Sequence, residues 1–191
     1  MDKQLISLPN PHLRQNSKKV GVIDDKIREL IRHMEDTTLD WEEDREHEVG
    51  VALAAIQIDE PLRIIVVRNN FDDKTDKTFH ALINPVITKY EGELLEDFEG
   101  CLSVKDLYGK VLRYSKVRIK ALDLSGKEIR FSAEGFLARV FQHEIDHTNG
   151  KVFIDHIKNA TQAFYALDES GELVQLDYEK DIAHNETLWE G

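Results

Sequence analysis

The chain has 191 residues, with 25 Lys and Arg against 37 Asp and Glu, a formal charge of −12 at pH 7. At 41% apolar and 8% aromatic residues, its composition suits a folded domain with a real core and excludes wholesale disorder. The acidic balance argues against a nucleic-acid groove or an anionic membrane surface as the main partner, and no apolar run approaches the roughly 20 residues of a membrane helix.

In chain order, the N-terminus has no signal-like segment, and a single cysteine, Cys101, excludes an internal disulfide. Together these place the expected compartment in the cytoplasm. Asp24 or Asp25 caps a predicted helix in which Ile27, Leu30, Ile31 and Met34 recur at helical spacing. That helix is expected to end near Thr37 or Thr38, before an acidic loop over 36–48. The β-branched run 63–68 reads as a buried strand, 69–77 as a polar connection and 81–83 as a further strand, with a bend at Asn84-Pro85. Residues 116–122 and 127–131 alternate about Ser125-Gly126 as a hairpin with one wet face. Helical periodicity returns over 134–147 and stops at Asn149-Gly150. From 161 to 191 there are eight acids and one base, a solvated acidic extension of charge −7. Strands and helices fall in blocks, so the class is α+β, with one domain over 1–160 and the extension over 161–191.

The last helix carries His143-Glu144-Ile145-Asp146-His147. Spacing i, i+4 puts both imidazoles on one face, able to grip one metal ion, with Glu144 beside them as a base. Two histidines leave a tetrahedral site incomplete. The pattern that continues to a third histidine fails at Phe153, which leaves Glu169 or Glu172 downstream, or Cys101 upstream within Glu99-Gly100-Cys101-Leu102-Ser103. Gly50-Val51-Ala52-Leu53-Ala54-Ala55-Ile56-Gln57 supplies small residues for close backbone approach and a Gln amide suited to a developing oxyanion.

Taken together, G-x-x-L-A-A-x-Q, E-G-C-L-S and Q-H-E-x-D-H resemble the peptide deformylases, over most of the first 157 residues. The resemblance implies the deformylase fold, antiparallel sheets around a central C-terminal helix bearing the HExxH. It implies removal of the formyl group from the formyl-methionine of new polypeptides, with hydroxide on the ion attacking the formyl carbon. Cys101, His143 and His147 would be the ligands of one divalent ion, usually iron(II), with zinc, nickel or cobalt able to substitute. Glu144 would be the general base, while Gln57 and the N–H of Leu102 would stabilise the oxyanion. Substrate would lie along Gly50, Val51, Ala52 and Gly100. The expected partners are N-formylated nascent peptides and, in passing, the ribosome, met by a monomer.

This chain departs from the family pattern at Ala52, Lys105 and Tyr108. Phe136, Arg139 and Val140 stand one turn before His143, where the family lines its methionine pocket, and Asp97 is expected opposite. An Asp97–Arg139 pair there would shift preference toward a polar side chain. Asp146 and Arg113 are candidates for fixing ligand geometry. The rival readings are a zinc endopeptidase completed by Glu169 or Glu172, and a paralogue that binds metal or peptide without turnover.

Overall fold

A computed structural model describes residues 4–43, 45 and 48–189. The elements in order are α1 (Asp25–Glu43), β1 (Ala52–Ala54), β2 (Ile64–Arg68), β3 (Phe79–Cys101), β4 (Val104–Leu122), β5 (Glu128–Glu134), α2 (Gly135–Thr148), α3 (Ile154–Ile157), β6 (Phe164–Leu167), β7 (Leu173–Gln175) and α4 (Glu186–Trp189). The strands pair antiparallel in the order β1-β2-β3-β4-β6-β7, with β5 also on β4.

β2 is buried along its whole length, which is why its sequence is a continuous β-branched run rather than an alternation. Ile65 and Val67 pack with Phe141 and Ile145 of α2. Ile64 and Val66 pack with Ile31 and Met34 of α1. The sheet is therefore sandwiched here between the two long helices. A third cluster joins Cys101, Leu107 and Val111 to Phe153, Ile157, Phe164, Ile182 and Leu188.

Three expectations are corrected. α1 does not stop at Thr38 but runs to Glu43, because its last turn has partners: Glu42 accepts from Arg68 Nη1 at 2.8 Å and from the Gly50 N–H at 3.0 Å. Much of the expected acidic loop is thus helix, while Asp44, Glu46 and His47 lie outside the described residues. Asn84-Pro85 does not end a strand. Asn84 takes a left-handed φ of 54° within a register shift between Ile83 and Val86, its amide bonding both backbone groups of Val20, and β3 continues beyond Pro85 to Cys101. Finally, the stretch after 160 is not merely solvated: Asp168, Glu169, Glu172, Asp177, Glu179 and Glu186 are exposed while Phe164, Ile182 and Leu188 are buried.

Candidate metal centre

β3 and β4 form one long hairpin, and Cys101 pairs with Val104 across its two-residue turn. The register slips between Gly100 and Cys101, a local bulge of the kind that re-aims a side chain. Gly100 is needed for a specific reason. A Cβ there would lie 2.7 Å from Tyr108 Cε1, so the ring crosses the backbone only because no side chain intervenes. α2 brings in the other groups, since His143 and His147 sit one turn apart on it.

The three donors converge. Cys101 Sγ lies 3.2 Å from His147 Nε2, which in turn lies 3.2 Å from His143 Nε2. Among the described residues this is the one group of three such donors, all within 4.8 Å of one another. Two nitrogens bound tetrahedrally at about 2.0–2.1 Å would be separated by about 3.3 Å, so the spacing fits a single ion. Glu169 and Glu172 are not part of the group; they belong to the turn between β6 and β7.

Around the donors the polar groups are buried and mostly paired. Glu99 Oε2 lies 3.0 Å from His143 Nδ1, which leaves Nε2 toward the other donors. Arg113 grips the Glu99 carboxylate with Nε and Nη2 at 2.9 and 3.0 Å, and Arg139 Nη1 donates to it at 2.9 Å. Burial alone would raise the Glu99 pKa, but His143 and Arg113 hold it well below the usual carboxylate range. Burial and nearby His143 keep His147 well below its ordinary pKa, hence neutral and able to donate a lone pair. Its Nδ1 is buried with no partner among the described residues, unlike that of His143. Arg113 also donates to Asp146 Oδ2 at 2.5 Å, and His156 Nε2 lies 2.7 Å from the same oxygen. Thus Asp146 and Arg113 meet each other, and Arg113 reaches His143 through Glu99.

Glu144 is buried, its Oε2 without a partner among the described residues, and burial pushes its pKa up to about 7, with His143 opposing and Glu99 assisting. Gln57 is fixed at both ends. Its Oε1 accepts from the Ala54 N–H at 2.8 Å, and its Nε2 lies 3.1 Å from Ser103 Oγ and 3.6 Å from Cys101 Sγ.

A cavity of about 280 Å³ opens over these groups. Val51, Ala52, Gln57, Gly100, Leu102, Tyr108, Phe136, Arg139, Val140 and Glu144 all line it, as the sequence suggested. Gly50 and Asp97 do not. A Cβ on Gly50 would strike the Thr38 carbonyl oxygen at 2.3 Å, so the close packing of this segment on α1 requires glycine here. Asp97 is exposed and accepts from the Phe98 N–H at 2.8 Å. The expected Asp97–Arg139 pair is therefore absent. The buried Glu99, not Asp97, meets the Arg139 guanidinium, and Arg139 also donates to the carbonyls of Val111 and Leu95.

Several lining residues lay outside the sequence prediction. Glu99 stood two positions before Cys101 in a motif already singled out, but period-2 spacing alone did not separate it from Asp97. Trp41 and Glu48 arrive through the lengthened α1 and the segment after it. Leu167 and Leu173 arrive through the β6–β7 hairpin, and no local pattern marked them. Tyr108 donates its hydroxyl to Glu48 Oε1, and burial together with that carboxylate raises the phenol's pKa.

A family model described as polypeptide deformylase matches residues 2–163. The chain belongs to this deformylase family. It is 45% identical over 155 residues to a peptide deformylase of Mesorhizobium japonicum, covering 81% of this chain and 84% of that one. It is 46% identical over 154 residues to one from Halothermothrix orenii, covering 81% and 92%. Among solved structures, a peptide deformylase from Synechococcus elongatus in complex with actinonin superposes with a TM-score of 0.73 at 35% identity, covering 83% and 82%. One from Legionella pneumophila gives 0.71 at 40%, covering 81% and 85%. Deformylases are metal-dependent hydrolases that remove N-formyl groups from new polypeptides, and that is the activity of this chain. Among the described residues no helix is long and apolar enough to cross a membrane.

Proposed function

We propose that the chain deformylates N-terminal formyl-methionine at one divalent ion held by Cys101, His143 and His147. The observation that carries this reading is the convergence of those three donors beside a buried, unpartnered Glu144 oxygen. When bound, the ion supplies Lewis acidity that polarises the formyl carbonyl and makes water nucleophilic near neutral pH. Iron(II) is the proposed physiological metal by resemblance to the family; the thiolate and two imidazoles also accommodate zinc, nickel and cobalt.

The chain's own residues do the rest. Glu144 takes the proton from the attacking water and returns it to the departing amine nitrogen, a relay its raised pKa suits. Gln57 Nε2, held by its amide's contacts, and the Leu102 N–H donate to the oxygen that develops negative charge. Glu99 fixes the His143 ring, and two guanidinium groups keep Glu99 ionised at that task. With Arg139 engaged by Glu99 and two carbonyls, Phe136 and Val140 dominate the chemistry of their wall, which favours an apolar first side chain.

The HExxH helix, packed on the sheet, is the catalytic element of a domain spanning 1–160, with 161–191 as its extension. The protein is proposed to act as a cytoplasmic monomer. Any contact with the ribosome is brief, since a charge of −12 is repelled by RNA phosphate. Anaerobic loading with iron(II) or nickel, followed by assay of formate from formyl-Met-Ala-Ser and formyl-Glu-Ala-Ser, tests the reading. Release from the formyl-Met peptide at least about 100-fold faster is expected. Equal or faster release from the formyl-Glu peptide would overturn the apolar pocket.

A further inference from the structure

The hairpin of β6 and β7 lies beyond residue 163, where the family match ends, yet Leu167 and Leu173 line the same cavity as Cys101, Gln57 and Glu144. They pair directly across the hairpin, so their side chains share one face. That face is anchored. β6 pairs with β4 at Tyr108 and Gly109, Tyr165 meets the Phe98 ring edge-on at 4.9 Å, and Phe164 is fully buried in the cluster that contains Cys101. Phe98 and Tyr108 also line the cavity. Two leucines, a phenylalanine and a tyrosine ring thus make a wall distinct from the one that α2 provides with Phe136 and Val140.

We propose that this hairpin is a specificity element of the chain, its Leu167–Leu173 face receiving the side chain of the residue that follows the formylated one and favouring apolar groups there. The inference rests on the deformylase reading, in which the α2 wall receives the first side chain. A peptide whose formyl carbon lies at the three donors and whose first side chain fills the α2 wall has its next residues leaving along the cavity, and the hairpin offers them apolar surface. Leu167 and Leu173 are half-buried, as a wall awaiting a ligand would be, rather than sealed in the core.

The test compares the metal-loaded wild type with the double variant Leu167→Ala, Leu173→Ala on formyl-Met-Leu-Ser and formyl-Met-Ala-Ser. A second readout, independent of turnover, is calorimetric binding of the products Met-Leu-Ser and Met-Ala-Ser to the same proteins. In the wild type the leucine peptides should be preferred in both readouts. In the double variant both preferences should fall at least about fivefold, while kcat/KM for formyl-Met amide, which has no second residue, stays unchanged. Val174→Ala, on the opposite, half-exposed face of β7, should keep the wild-type ratios. Because that variant and formyl-Met amide report on folding and chemistry, a double variant that loses the amide activity too would assign the leucines to structure and overturn the proposal. An unchanged leucine-to-alanine ratio would also overturn it, while leaving the deformylase reading intact. Absence of formate from every formyl-Met substrate in the wild type would remove both.

Discussion

Glu99 holds more of this site together than any residue that touches the reacting atoms. One buried carboxylate meets Arg113, Arg139 and the outer nitrogen of His143. Changing it to Gln preserves shape but leaves two buried guanidinium groups without their anion, a loss of about 3–5 kcal/mol by analogy with broken buried ion pairs. The Glu99→Gln protein should therefore unfold at a markedly lower urea concentration and bind zinc roughly 10–100-fold more weakly in competition with a chelator. Wild-type values for both would show that the network is dispensable. At this scale the histidine pair was legible in the sequence, because His143 and His147 carry helical spacing, whereas the residues alone left the third donor open between Cys101, Glu169 and Glu172, and only the family resemblance pointed to Cys101. Glu99 was not legible, since Asp97 has the same period-2 spacing in β3, and only the tertiary packing that buries Glu99 against Arg113, Arg139 and His143 separates the two.

Among the elements, α1 teaches why a helix end is hard to read. Its apolar stripe closes at Thr38, and the following residues look like solvated acids, but one of them, Glu42, meets a buried arginine in β2. Arg68 has no exposed side-chain surface, and its other donors go to the carbonyls of Lys74 and Asp76. A tertiary ion pair thus lengthens the helix past the point at which periodicity stops, and the lengthening carries Trp41 to the cavity. Glu42→Ala should cost about 3 kcal/mol or more in urea unfolding, since it strands the Arg68 charge. It should also lower the helical signal in far-ultraviolet circular dichroism of the folded protein. A change within about 0.5 kcal/mol would mean that α1 holds its last turn without this pair. The shorter strand expected at 81–83 has a similar origin. Asn84-Pro85 looks like a terminator, and only the long-range bonds from Asn84 to Val20 convert it into a bulge within a continuing strand.

At the scale of the whole molecule, the architecture explains why three sequence segments 40–50 residues apart form one centre. The β3–β4 hairpin delivers Cys101, the short strand β1 leads directly into Gln57, and α2, packed across the sheet, delivers the histidines and Glu144. The segment after 163 continues this plan by joining the same sheet at β4, with buried Phe164 in the cluster that contains Cys101. Its acidic composition hid that, because charge describes its outer face while a few apolar residues anchor the inner one. The central claim is that these segments assemble a metal-dependent deformylating centre with Glu144 as its proton carrier. It is tested most directly by measuring metal content and formate release from formyl-Met-Ala-Ser in parallel for wild type and Glu144→Ala. The account predicts one ion per chain in both proteins and a loss of formate release of at least about 100-fold in the variant. A fully metallated Glu144→Ala protein that releases formate at the wild-type rate would contradict it.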